Sequence, residues 1–289
     1  MVNICAFGKV YRKSINIALS FLALFFILGG GAVYYSLAGE VTVSDPAYTL
    51  KMLKKLPDVS NLSSLTYIPE ENILVATLNK PATLLKLTTD GDIISRSPLT
   101  FIKDAETVEY IGDGKLAMVD ERSSVLHIVN LANLQPVKPV GTIDLQFITP
   151  KSNRGFEGMA WDADKKTLYV AKERDPYGLY SVKWDASNHI TGIYKVNELL
   201  KNVNVKDISA LNFDKGNLFI LSDQSKGLVQ IDPEGKVTGV LNLRAGHHGL
   251  EKDVPQAEGV ASDSAGNIYV ASEPNLFYKF VPLAGTKNP

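Results

Sequence analysis

From residue 62 onward the chain is written in short apolar and β-branched runs, such as LSSLTYI, ILVATL and TLLKLT, each five to eight residues long. Turn sequences punctuate them: PEEN, GDGK, DADKK, DKGN and DSAGN after every first run, and TTDGD, DASN and DPEGK later in the unit. Period, composition and punctuation predict β-strands joined by tight hairpins. No long amphipathic helical pattern interrupts them.

The pattern repeats. Aligned on the small or apolar step that follows, SSLTY starts at Ser63, ETVEY at Glu106, EGMAW at Glu157, SALNF at Ser209 and EGVAS at Glu258, at spacings of 43, 51, 52 and 49 residues. The end of the next strand repeats in parallel, through Leu78, Glu121, Glu173, Asp223 and Glu273, at spacings of 43, 52, 50 and 50. Four antiparallel strands about every fifty residues predict a β-propeller. The fifth unit ends soon after LFYKFVPL and lacks a fourth strand, whereas Tyr48 to Leu56, YTLKMLKKL, stands unclaimed before the first unit. The expectation is an all-β, five-bladed ring whose last blade is closed by this N-terminal strand, leaving no free edge in the ring. A six-bladed count would need a blade within residues 244–256, RAGHHGLEKDVPQ, which is short and polar.

In a propeller the first strand of each blade lines the channel, and the second runs antiparallel to it. The start of strand one therefore lies beside the end of strand two. Glu106, Glu157 and Glu258 belong to the first position, and Glu121, Glu173, Asp223 and Glu273 to the second. All seven are expected at one mouth of the channel, with Ser63 and Ser209 breaking the ring of glutamates. Crowded carboxylates repel and need compensation. Arg122 and Arg174, each following one of the acids, could supply it, as could protonation or a divalent cation on the axis. The lone cysteine, Cys5, lies far from this region and the chain has four histidines, so an oxygen-only site is expected: Ca²⁺ first, then Mg²⁺ or Mn²⁺. The competing role for each acid is structural, accepting backbone N–H groups from the neighbouring blade. Ser63 and Ser209 have no evident base and no G-x-S-x-G elbow, and the His247-His248 pair reads as part of a surface loop.

Composition adds the setting. Lys9, Arg12 and Lys13 give residues 1–38 a charge of +3, and the rest of the chain carries −4. No basic face for nucleic acid follows from this distribution. Residues 15–38 hold no charge and are long enough for a membrane-spanning helix. The expected organisation is a cytoplasmic basic segment (1–14), a signal-anchor helix (15–38), a linker (39–47) and an exported propeller (48–285). The length of the apolar run favours an anchor over a signal peptide cleaved after residues 36–38.

GFEGMAWD…LYVAKER and AEGVASD…GNIYVASEPN resemble the SdiA-regulated (YjiK-like) family of bacterial envelope β-propellers, over roughly residues 45–285. The resemblance implies a single-pass inner-membrane protein with its propeller on the periplasmic side and acidic mouth residues suited to a metal. It implies no reaction. The motifs are also distantly similar to propellers with phytase-like activity, in which clustered acids hold calcium. The function expected is that of an envelope protein binding a small ligand or a protein partner beside a divalent cation. The alternative is a metal-dependent hydrolase of a phosphoester or lactone.

Overall fold

The computed structural model describes residues 47–134, 137–145, 155–185 and 189–283. The expected anchor helix and nearly all of the linker lie outside them. Among the described residues no helix is long and apolar enough to cross a membrane.

Among the described residues, twenty strands form five four-stranded antiparallel sheets. Blade 1 holds β2 (Leu62–Ile68), β3 (Ile73–Leu78), β4 (Thr83–Thr88) and β5 (Ile93–Pro98). Blade 2 holds β6 (Ala105–Tyr110), β7 (Lys115–Asp120), β8 (Val125–Leu134) and β9 (Val137–Asp144). Blade 3 holds β10 (Phe156–Asp162), β11 (Thr167–Lys172), β12 (Gly178–Trp184) and β13 (Ile190–Lys195). Blade 4 holds β14 (Ala210–Asp214), β15 (Asn217–Ser222), β16 (Gly227–Ile231) and β17 (Val237–Asn242). Blade 5 holds β18 (Ala257–Ser262), β19 (Ile268–Ser272) and β20 (Leu276–Pro282), and takes β1 (Tyr48–Lys55) as its outer strand. The five-blade count and the N-terminal closure are as the sequence predicts.

Hydrophobic burial is concentrated at five seams, one between each pair of neighbouring blades, including the seam from blade 5 back to blade 1. Side chains alternate along a strand, so each inner strand serves the seams on both of its faces. The inner strands β2, β6, β10, β14 and β18 pack side by side in that order, and β18 meets β2. Two glycines set how closely they approach. A Cβ on Gly158 would lie 2.9 Å from Leu211 Cγ and 3.0 Å from the Leu211 nitrogen, and one on Gly259 would lie 2.7 Å from the Ser64 carbonyl carbon. These glycines are the second letters of the two EG steps.

Hydrogen bonds tie the inner strands together. The Ser64 hydroxyl accepts the Val108 N–H at 2.8 Å, and the Thr66 hydroxyl accepts that of Tyr110 at 3.1 Å. Buried Glu109 accepts the Thr66 hydroxyl at 2.9 Å and the Trp161 N–H at 2.9 Å, bridging blades 1, 2 and 3. Burial pushes its carboxyl up from the ordinary 4.5 to about 8, against the two hydrogen bonds, which pull it down.

The loop containing His247 and His248 is bound to β1. It latches the closing strand: the His248 carbonyl accepts the Leu50 N–H at 2.7 Å, and His248 Nδ1 lies 3.1 Å from the Tyr48 carbonyl oxygen. At the same end of β1 the Leu283 N–H donates to the Ala47 carbonyl at 2.8 Å.

Gly259→Ala is expected to destabilise the protein by about 1–3 kcal/mol in denaturant unfolding, because backbone must move to admit the methyl group. Gly141→Ala is the control, since its Cβ would meet only Ile128 at 4.0 Å. The raised pKa of Glu109 means that its contribution is full below pH 4.5 and is lost as pH rises through about 8. Stability of the wild type should therefore fall over that window more steeply than that of Glu109→Gln. Parallel pH profiles of the two proteins would contradict the assignment.

Candidate metal centre

One local device places the glutamates. In blades 1, 2, 3 and 5 the first ladder pair of the inner hairpin is followed by a register shift: Leu62/Ser64, Ala105/Thr107, Phe156/Gly158 and Ala257/Gly259. The residue skipped is Ser63, Glu106, Glu157 or Glu258. A β-bulge leaves its extra residue outside the ladder and re-aims the side chain. In blade 4, Ser209 and Ala210 both face Leu221, which gives the same two-to-one arrangement. The acids at the end of strand two follow the last ladder residue: Glu121 after Asp120, Glu173 after Lys172, Asp223 after Ser222 and Glu273 after Ser272.

That register corrects one position. Leu78 is the last ladder residue of β3, paired with Leu62 and buried in the seam between blades 5 and 1. The blade 1 counterpart of the acids is the next residue, Asn79. Its side-chain Nδ2 donates to Glu106 Oε1.

The convergence is electrostatic as well as topological. Burial raises the Glu157 carboxyl well above the usual glutamate value, and the charges of Glu106, Glu258, Glu121 and Glu173 raise it further. Burial and then Asp223, Glu273, Glu106 and Glu173 push Glu258 up to about 9. Glu106 is pushed up to about 8 by burial, Asp104 and Glu121, while a hydrogen bond from Ser63 opposes the shift. Burial also raises Glu121 and Glu273, and Lys80 lies near enough to counter both.

Several acids also serve the structural role. Glu121 Oε1 accepts the Gly155 N–H of blade 3 at 2.8 Å, and a Cβ on Gly155 would fall 2.7 Å from Glu121 Cγ. Asp223 Oδ1 accepts the Ala257 N–H of blade 5 at 3.1 Å and pairs with Lys226 at 2.6 Å. Glu173 pairs with Arg174 at 3.2 Å. Arg122 reaches past its neighbour Glu121 and binds Asp104 at 2.8 Å. The two serines are buried and hydrogen-bonded: Ser63 to the Asn61 carbonyl at 3.0 Å and Ser209 to the Ala257 carbonyl at 2.6 Å. Neither is presented as a nucleophile.

The tightest group of acids is Asp104, Glu106 and Glu121, each offering a ligand oxygen within 4.8 Å of the others. Oxygen-only donors at this spacing suit a hard cation such as Ca²⁺, Mg²⁺ or Mn²⁺. The expected ring of Glu106, Glu157 and Glu258 thus contributes one member to the closest group among the described residues. The sequence reading missed Asp104, Asn79 and Lys80. Asp104 was findable from the repeat, since the residue two before each bulge is Asn61, Asp104, Gly155, Asp207 or Gln256.

Solved structures with the same fold include a glutaminyl cyclase from Myxococcus xanthus, at a TM-score of 0.58 and 15% identity over 82% of this chain and 97% of that one. A gluconolactonase from Xanthomonas campestris matches at a TM-score of 0.51 and 14% identity, over 83% of this chain and 96% of that one. A chain of a nidogen/laminin complex matches at a TM-score of 0.50 and 13% identity, over 74% and 73%. At such identities the likeness is one of fold alone. A family model described as SdiA-regulated matches residues 41–281, and on that match this chain belongs to the SdiA-regulated family.

Proposed function

We propose that the protein is a membrane-anchored periplasmic propeller that binds a divalent cation, Ca²⁺ foremost, at its acidic channel mouth. In this reading it serves as an envelope protein for a small ligand or a protein partner. The observation that carries the cation is the approach of Asp104, Glu106 and Glu121 within 4.8 Å, in a mouth where the other acids add further negative charge. A cation lowers the cost of holding those groups ionised. Support for the anchor comes from the uncharged run at residues 15–38 behind Lys9, Arg12 and Lys13.

A second reading, a metal-dependent hydrolase of a phosphoester or lactone, draws on the acidic cluster and on the shared fold with the gluconolactonase. A cation could activate water there, but the buried, hydrogen-bonded Ser63 and Ser209 offer no nucleophile of their own. The binding role is therefore preferred.

The test is thermal unfolding of the chelator-stripped full chain in detergent, with Ca²⁺, Mg²⁺ or Mn²⁺ added back. Ca²⁺ at roughly a hundredfold excess over Kd should stabilise the folded state by about 2.7 kcal/mol. Glu106→Gln should lose most of that gain while remaining folded. A wild-type curve unmoved by all three cations would sink the cation reading. Metal-dependent turnover of lactones or phosphoesters, abolished in Glu106→Gln, would replace the binding role by the hydrolytic one.

The anchor is tested separately. A reporter active only outside the cytoplasm, fused after Pro289, should be active, and the mature chain should begin at Met1 or Val2. A mature N-terminus at Gly39 would mean that the apolar segment is a cleaved signal.

A further inference from the structure

The rim of the mouth carries a second pattern, of opposite charge. Two residues beyond the last ladder residue of each second strand stand Lys80, Arg122, Arg174, Gln224 and Pro274. Bases thus hold this position in blades 1, 2 and 3, and neutral residues hold it in blades 4 and 5. The bases form a crescent over one side of the mouth, just outside the acids.

Each base is fixed near its root and open at its tip. Arg122 Nε donates to Asp104 Oδ2 at 2.8 Å, and its turn is closed by the Ser124 N–H on the Glu121 carbonyl at 3.3 Å. Arg174 Nε lies 3.2 Å from Glu173 Oε1. Lys172 Nζ pins the turn beneath it, donating to the carbonyls of Arg174, Asp175 and Pro176 at 3.0, 3.2 and 3.2 Å. Both guanidiniums are held through Nε, the nitrogen nearest the chain, and the side chains of Arg122 and Arg174 remain 55% and 40% exposed. Among the described residues nothing pairs with the terminal nitrogens of either. Lys80 is exposed and, among the described residues, makes no ion pair. Its charge reaches Glu121 of blade 2 and Glu273 of blade 5, opposing the rise that burial gives both acids.

We infer that this crescent binds the oxyanion group, a carboxylate or a phosphate, of a small ligand seated over blades 1 to 3. The terminal nitrogens of a guanidinium match such a group in paired hydrogen bonds, and a lysine adds a flexible point charge. Because Asp104 and Glu173 already orient the two forks, little side-chain freedom is left to lose when the ligand arrives. Blades 4 and 5 offer no base at this position, so the anionic end of the ligand has one side of the mouth to occupy. The inference rests on the cation-binding reading above, since Glu106, Glu157 and Glu258 without compensation would repel an anion, and it names the class of ligand which that reading leaves open.

Calorimetric titration of the full chain in detergent with sodium phosphate and with sodium succinate, at constant ionic strength, tests it. Mg²⁺ is the cation present, because phosphate precipitates Ca²⁺. Saturable binding is expected: of phosphate alone if the ligand is a phosphate, of succinate alone if it is a carboxylate, of both if the crescent accepts either. Arg174→Gln should weaken binding roughly tenfold or more, and Arg174→Lys should recover only part of the loss, because the fork is gone. Lys80→Gln, which breaks no ion pair, should weaken it roughly threefold and still decides if the arginine variants do not fold. Lys215→Gln, in the hairpin turn of blade 4 at the opposite end of the channel, should stay within about twofold of the wild type. Wild-type affinity in Arg174→Gln or in Lys80→Gln would overturn the assignment, as would an equal loss in Lys215→Gln. Neither probe binding, with Mg²⁺ or without it, would overturn it as well. The cation reading would then fall only if Ca²⁺, Mg²⁺ and Mn²⁺ also left the melting curve unmoved.

Discussion

Five inner strands must share one axis, and the closeness this demands governs the rest of the molecule. Strands from different sheets come so near that glycine is required at Gly158 and Gly259, where even a methyl group would strike neighbouring backbone or side chain. At that range a polar group has little access to water, so the inner strands exchange hydrogen bonds through Ser64, Thr66 and Glu109. The same crowding brings each glutamate just before a glycine, Glu157 and Glu258, into range of the acids of other blades. Packing and electrostatics at the mouth thus have one cause.

The bulge converts this packing into chemistry. A strand that alternated strictly from Ala105 would give each side chain a place in the ladder, on one seam or the other. The skipped residue at Glu106, Glu157 and Glu258 escapes that rule and turns toward the mouth. Its partners at the end of strand two are set by where the ladder stops. The arrangement therefore tolerates substitution: Ser63 and Ser209 occupy the bulge in blades 1 and 4, and their hydroxyls satisfy carbonyl groups instead of adding charge.

Much of this was legible in the sequence because the repeat carries it. Strand periodicity, a fifty-residue spacing and an orphan strand at Tyr48 were enough for the ring and its closure. Glu106, Glu157 and Glu258 were legible as a set because they recur at one position. Asn79 was not, because it stands where the other blades carry acids and a repeat reading looks for what recurs, whereas Asp104 shares a repeat position with Asp207. Spacing in the repeat points to Leu78 as the counterpart of Glu121, because position alone does not separate the last paired residue from the first unpaired one. The ladder does so, by pairing Leu78 with Leu62. The partner of Arg122 was equally hidden, since sequence adjacency pointed to Glu121 and the fold supplied Asp104.

The closing strand ties the fate of the ring to the order in which the chain is made. Tyr48 pairs with Pro282 and Lys55 with Leu276, so β1 emerges among the first strands and waits for almost the last. Contacts of such long sequence separation form slowly, and an unpaired strand is a template for the wrong neighbour. Lys51, Lys54 and Lys55 give β1 a row of like charges that discourages such pairing during the wait. Once β20 arrives, Lys54 finds Asp92 of blade 1 at 2.5 Å. The residues that keep the strand solitary during synthesis become part of what holds it in the finished ring.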